Sequence, residues 1–433
     1  MRTLLALCLL GSATAVASAA ASAEAPFPAD IHSVRFTANT AVRATPSGTA
    51  TRIGVIGKDA RAAATAAVPA GDGCAKRWIA IAPRGWACET ALVPSADEPT
   101  AAAPSSLRDD AAPELGVYGA VHGPDAQVYA SGAAVAAGEG RAVGGASSVR
   151  MLGLTAVAGA RYWVTALGLI AESSIWPMAP SAFHGEPLEG GVLAIAWAHA
   201  KDKPRGPVVL RAAPSAKAAV TGEVSARSHV TVREVSGDGK WARVTDSDWA
   251  ARADLRVAQT VAPPTGTGAD ERWFDVDLDE QILVAYEGAR PVYATLVSTG
   301  KWDRRTPETI ARVASKLRTA DMTSTGVDTY SVGDVPWTMF YDNNFALHTS
   351  YWHDGFGDVR SHGCVNLAPR DARILYQWSS PDVPPGWIAV YGDAETPGSM
   401  VRVRSRAVPS PAFRGYAKQL HEASTASTSV ATR

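Results

Sequence analysis

From Phe274 to Asp279 the chain alternates apolar and acidic residues without a break, the period of two expected of a strand with one covered face. The stretches Gln281 to Tyr286 and Pro291 to Ser298 are rich in β-formers, and Glu287-Gly288 between them supplies a turn. This region is therefore expected as a half-buried hairpin. The period becomes helical after Pro369, a residue suited to a first helical turn, with Ile374, Leu375 and Trp378 on one face of a helix that would cover the sheet.

Upstream, short alternating segments broken by Asp-Gly turns recur at a fixed distance. Val42-Arg43-Ala44-Thr45-Pro46-Ser47, Gly71-Asp72-Gly73, Trp78-Ile79-Ala80-Ile81 and Gly85-Trp86-Ala87-Cys88 are echoed by Leu210-Arg211-Ala212-Ala213-Pro214-Ser215, Gly237-Asp238-Gly239, Trp241-Ala242-Arg243-Val244 and Asp248-Trp249-Ala250-Ala251. Trp78 to Trp241 and Trp86 to Trp249 share one offset, which marks an internal repeat of small all-β units. Both resemble bacterial SH3-like modules. The stretch between them, with Val117-Tyr118-Gly119-Ala120-Val121 and Arg161-Tyr162-Trp163-Val164-Thr165, reads as a third, degenerate β-module.

Punctuation completes the plan. Met1-Arg2, an apolar run from Leu4 to Leu10 and Ala-x-Ala options at 17–19 and 21–23 read as a signal peptide over residues 1–23, too short to span a bilayer. The expected order is then a first module at 29–95, a linker at 96–113, the degenerate module at 114–203, a second module at 204–260, a Pro-Pro-Thr-Gly-Thr-Gly linker within 261–270, a last β-rich unit at 271–392 and a Pro-, Ser-, Thr- and Ala-rich tail at 393–433, expected to be disordered. The fold class is mostly β and multi-domain, as 433 residues also suggest. With 41 basic and 42 acidic residues there is no electrostatic case for nucleic acid, and no later segment is long and apolar enough for a membrane span. The chain is expected outside the cytoplasm, periplasmic or wall-associated.

Cysteine usage agrees with export. Cys8 falls within the signal, Cys74 and Cys88 lie fourteen apart and are expected to pair, and Cys364 is left over as a reactive thiol.

Cys364 sits in Ser361-His362-Gly363-Cys364-Val365-Asn366, with His348 sixteen residues upstream. A nucleophilic thiol needs a base within reach and backbone N–H groups for the oxyanion that forms on attack. His362, two residues away on an extended strand, would point the same way as Cys364 at roughly 6 to 7 Å, which suits orientation better than proton transfer. His348 is far enough upstream to return on an adjacent strand.

This constellation, with Trp273 to Leu278, Tyr286-Glu287-Gly288, Val297-Ser298-Thr299-Gly300 and Thr306-Pro307 in order before it, resembles the L,D-transpeptidase catalytic domain, also called YkuD. The resemblance implies that Cys364 is acylated by a peptidoglycan stem peptide, with His348 as base and His362 as a further catalytic residue. It also implies that the Thr349 carbonyl holds His348, that Gly363 contributes backbone to the oxyanion site, and that Ser361, Arg360, Asn366, Tyr341 and Trp352 bind substrate. Stem peptides would be the partners, carbapenem β-lactams the inhibitors, and no cofactor or metal is called for. One departure from the family pattern is Thr309, where a glycine is usual. A zinc site from His348, His353, His362 and Cys364 lacks the short paired spacings of structural zinc modules. Other readings are a wall-peptide cysteine peptidase or L,D-carboxypeptidase, against whose peptidase form the His-before-Cys order speaks, and a non-catalytic wall-binding protein. The modules before residue 262 contain no nucleophile-base pair. They are expected to serve positioning or substrate access, leaving a catalytic unit that folds by itself.

Overall fold

The computed structural model describes residues 26–102, 106–108, 116–123, 125–143, 146–324 and 330–431. The proposed signal peptide and parts of the 96–113 linker lie outside them.

The upstream chain is built from one pairing scheme used three times. In the first unit the strand Ser33–Phe36 pairs with Arg61–Ala62 and Leu92–Ser95, Thr40–Arg43 pairs with Arg52–Ile56 and Trp86–Cys88, and Trp78–Ile81 bridges Ala64–Val68 and Trp86–Cys88. The same six pairings recur from Ile195–Ala198 to Leu255–Val257, and again from Val117–Val121 to Ile175–Met178. A single turn of 3-10 helix precedes the last strand in each unit. The degenerate middle module is thus a full copy of the same unit, with the helix Gly132–Ala137 inserted. None of these sheets closes on itself, so closed SH3-like barrels are not confirmed. One boundary moves: Ile195–Ala198, placed in the middle module by the sequence reading, pairs with His229–Thr231 and Leu255–Val257 and is the first strand of the third copy.

Cys74 and Cys88 form the expected disulfide, with Cα atoms 5.5 Å apart. The third copy has no such staple and leans on its neighbour instead. Arg252 and the Val257 N–H both bind Glu280 of the catalytic part, a carboxylate 2% exposed.

The catalytic part consists of two sheets around one core. One runs in the order Glu186–Pro187, Arg290–Leu296, Ile282–Glu287, Arg272–Asp277, Met400–Arg404, Thr309–Arg312. The other carries Trp387–Tyr391, Ser315–Ser324, Tyr330–Asp342, Phe345–Thr349 and Val365–Leu367. Phe274, Val276, Leu283 and Tyr293 from the first meet Val335, Met339, Leu347 and Val365 from the second, and the helix Pro369–Trp378 adds Ala372, Leu375 and Trp378, as its apolar face led one to expect.

Two expectations fail together. The hairpin beginning at Phe274 is not half-exposed: Asp275 is 1% exposed and Asp277 6%, and of the alternating acids only Asp279, past the end of the strand, faces solvent. Nor is the region after 393 a disordered tail, since Met400–Arg404 lies inside the first sheet, parallel to Arg272–Asp277, and Gly415–Ala431 is helical. The two facts explain each other. Arg402 Nε donates to Asp275 Oδ1 at 2.6 Å, Arg404 Nε reaches Oδ2 at 2.9 Å, and Arg404 also meets Asp277 at 3.0 Å. The acidic stripe is covered by an arginine stripe of the same period.

Breaking a buried ion pair from one side strands the partner charges, which typically costs about 3 to 5 kcal/mol. Asp275→Asn keeps the shape and removes the charge, so the unfolding free energy from a urea titration is expected to fall by an amount of that order. A loss below about 1 kcal/mol would mean that the arginines are not held by this carboxylate.

Candidate active site

The strand Phe345–Thr349 runs parallel to Val365–Leu367, with Leu347 opposite Val365, His348 opposite Asn366 and Thr349 opposite Leu367. Successive side chains on a strand alternate faces, so Cys364, two residues before Asn366, comes onto the face that also carries His348. Sixteen residues of separation in sequence thus become one diagonal across neighbouring strands.

Gly363 makes the approach to Cys364. Its φ of +123° lies in the region that side chains resist, and a Cβ there would stand 2.6 Å from the Phe345 ring. Ser361 fastens the turn: its hydroxyl accepts from Gly363 N–H at 3.0 Å and donates to the Cys364 carbonyl at 2.5 Å. The extended geometry expected for His362 therefore does not hold. Gly363 breaks the strand run, and His362 is exposed with its ring against Tyr330, centroids 4.9 Å apart. The Gly363 N–H, expected at the oxyanion site, is engaged by Ser361.

The electrostatics of the pair follow from burial. The Cys364 thiol lies 3.8 Å from the Asn344 carbonyl; burial pushes it up to about 11, with the Ala346 N–H acting in the opposite direction. His348 is 3% exposed, and burial depresses it to about 4. Its Nδ1 is 2.9 Å from the Thr349 carbonyl. A carbonyl can only accept, so Nδ1 carries the proton and Nε2 keeps its lone pair. At neutral pH the site holds a neutral thiol and a neutral imidazole poised as acceptor, not a thiolate-imidazolium pair.

The other expected residues divide by exposure. Tyr341 is buried, close enough to Cys364 for the thiol's charge to bear on it, and its hydroxyl has no partner. Ser361 and Asn366 are buried too. Trp352 is half-buried between His348 and Tyr351, at 5.8 and 5.0 Å. Arg360 is exposed and lies over Gly355. Thr309 is fully buried on the strand Thr309–Arg312 opposite Val403, its hydroxyl without a partner.

Three features escaped the sequence reading. His353, weighed there only as a zinc ligand, accepts from Gly355 N–H through Nδ1 and meets the Asn366 side chain through Nε2 at 2.9 Å. Trp302 is 86% exposed on a loop whose neighbour Lys301 donates its N–H to the Ser361 carbonyl; an isolated tryptophan between charged residues was the available signal. The third feature had none: the loop joining His348 to Cys364 is gripped from upstream. Arg227 and Ser181 both bind Asp354, His199 binds Asp358 at 3.0 Å, Arg256 donates to the Gly357 carbonyl, and Phe183 stacks on Phe356. These contacts run against a catalytic unit independent of its modules. Among the described residues no group of three or more His, Cys, Asp or Glu side chains could hold a metal ion.

Residues 271–403 match the family model of the YkuD L,D-transpeptidase catalytic domain. Solved structures similar to the chain include an L,D-transpeptidase C442S mutant from Enterococcus faecium, 23% identical over 31% of this chain and 50% of that one, with a TM-score of 0.25. Another is an L,D-transpeptidase from Stackebrandtia nassauensis, 26% identical over 32% of this chain and 57% of that one, TM-score 0.23. A third is the Enterococcus faecium catalytic domain acylated by ertapenem, 23% identical over 32% and 99%, TM-score 0.25. The chain spans about half the length of the first two. No curated protein matches.

A neutral imidazole base is available above about pH 4, so the acylation rate of Cys364 is expected to stay nearly level from about pH 6 to 9. His348→Ala should lose about 10² to 10⁴ near neutrality and regain rate roughly tenfold per pH unit as the thiolate forms toward about 11. His362→Ala should show a defect that does not change with pH. Alkaline recovery in His362→Ala and its absence in His348→Ala would exchange the two roles.

Proposed function

We propose, from the L,D-transpeptidase catalytic domain at residues 271–403, that the protein is an exported cysteine acyltransferase acting on peptidoglycan stem peptides. The observation that carries the reading is the register of His348 against Asn366, which puts an imidazole with a free Nε2 lone pair on the face of the one free cysteine among the described residues.

Cys364 Sγ attacks the amide carbonyl before the terminal D-alanine of a tetrapeptide stem while His348 Nε2 takes the thiol proton. The tetrahedral oxyanion is stabilised by the backbone N–H of Cys364, because that of Gly363 is already given to Ser361. Collapse expels D-alanine, which receives the proton from His348, and leaves a thioester. An amine from a second stem, deprotonated by the same imidazole, then attacks the thioester carbonyl; the C–S bond breaks, Cys364 Sγ takes the proton back from His348 and the cross-link is formed. Because the resting pair is neutral, proton removal accompanies attack. The buried Thr349 carbonyl fixes the ring for both transfers. Arg360, Trp352 and Trp302 are the groups that remain open to the stem peptide. The three repeated units place this site at the wall.

Mass spectrometry on a defined tetrapeptide tests the reading. Loss of D-alanine, a thioester on Cys364 and a joined product when an amine acceptor is present are expected, all absent in Cys364→Ala. Product formation by Cys364→Ala would remove the assignment.

A further inference from the structure

The second sheet of the catalytic part contains a long hairpin, Ser315–Ser324 against Tyr330–Asp342, whose register breaks once in mid-length. Ala320 pairs with Val335 and Met322 with Val332, so Gly333 and Asp334 together stand opposite Asp321. This is a bulge, a device that bends a strand and re-aims what lies beyond it. Asp334 has a φ of +52°, a left-handed conformation that aspartate enters more readily than most side chains and that its surroundings hold here.

The surroundings come from two places. Asp334 N–H donates to Asp321 Oδ1 at 2.9 Å within the hairpin. Its carbonyl accepts from the Tyr118 hydroxyl at 3.1 Å, and Tyr118 belongs to the middle repeat, more than two hundred residues upstream. The neighbouring Gly333 carbonyl accepts from the Tyr351 hydroxyl at 3.0 Å. The rings of Tyr118 and Tyr351 stack at 3.6 Å, and Tyr118 is 3% exposed inside the catalytic core cluster. Two stacked tyrosines, one from each part of the chain, therefore hold the two bulge carbonyls, and Tyr351 lies three residues beyond the base His348.

Beyond the bulge the outer arm belongs to both parts. Residues 330–332 pair in parallel with Ala146, Ser147 and Ser148 of the middle repeat. Tyr330 begins that arm. Its ring lies against His362, and the Cys364 charge bears on its hydroxyl.

We propose that Tyr118 is a positioning residue of the acyl-transfer reaction: by locking the Asp334 bulge it sets the outer arm so that Tyr330 forms one wall of the donor subsite over His362 and Cys364. The middle repeat is on this account a structural component of the donor subsite. The inference rests on the acylation of Cys364 proposed above, and it assigns the shape of the acyl-donor side of the site to a module outside the catalytic domain.

The test compares Tyr118→Phe and Tyr118→Ala with the wild type in two reactions of Cys364: acylation by a carbapenem, which must seat in the donor subsite, and alkylation by iodoacetamide, which needs only the thiol. Phe keeps the stack and the core and loses the carbonyl bond. It is expected to slow carbapenem acylation by about three- to tenfold, and Ala by more than about tenfold, while alkylation stays within about twofold for both. The thermal midpoint of Tyr118→Phe should stay near that of the wild type. Wild-type acylation rates in both variants would overturn the proposal. So would a parallel fall of acylation and alkylation in Tyr118→Phe, since that reports a merely structural loss. A wild-type protein that forms no carbapenem adduct would instead overturn the acyl-transfer reading, and the positioning role with it.

Discussion

Everything at the site depends on one short parallel pairing, three residues of Phe345–Thr349 against Val365–Leu367. Parallel neighbours cannot be joined by a tight turn, so the chain must leave the sheet after Thr349 and come back before Val365. The returning loop has no regular ladder of its own. Left alone it would carry a large ordering cost, and the position of Cys364 relative to His348 would be only as good as that loop. The protein meets this from two sides: inside the catalytic part Gly357 N–H binds the Val297 carbonyl and the N–H groups of Arg360 and Ser361 bind the Thr299 carbonyl, and from outside Asp354, Phe356, Gly357 and Asp358 are held by side chains drawn from the linker after the middle repeat and from the third repeat. Burial supplies the rest. It depresses the His348 imidazole and raises the Cys364 thiol, while one carbonyl fixes the imidazole tautomer.

The same principle shapes the scaffold. Arg272–Asp277 exposes neither face, so its acids need partners, and Met400–Arg404 brings arginines at matching period from the far end of the chain. The last strand closes the sheet by charge as well as by hydrogen bonds. The repeats add to this rather than merely preceding it: Arg52–Ile56 of the first pairs with Trp387–Tyr391, residues 146–148 of the middle one with 330–332, and Glu186–Pro187 extends the first sheet beside Arg290–Leu296.

What the sequence disclosed follows from range. The pairing of His348 with the Thr349 carbonyl and its approach to the Cys364 strand were legible through the resemblance to the L,D-transpeptidase motif, whose residues stand close together in the chain. The repeat was legible from two tryptophans at one offset, and the disulfide from spacing and compartment. The bulge lock, the grip of Arg227 on Asp354 and the His353–Asn366 contact were not, because each joins residues whose proximity exists only after folding. The error at the C-terminal end is different in kind. Val401, Arg402, Val403 and Arg404 alternate as plainly as Phe274 to Asp279 do, and the complement between an acidic and a basic stripe was readable. The small and polar residues around it hid the strand. His362 failed for a local reason, since a glycine with positive φ between it and Cys364 cancels the simple period of two.

The central claim is that the catalytic domain and the repeats form one working unit. A chain beginning at Gly266 lacks Tyr118, Ser181, Phe183, His199, Arg227 and Arg256 but keeps every residue from Arg272 onward. The most direct measurement is its rate of Cys364 acylation by a carbapenem, set beside that of the full chain in the same buffer. The account predicts a shortened chain that is unfolded, or folded and slower by about tenfold or more. A folded shortened chain that is acylated as fast as the full protein would contradict it.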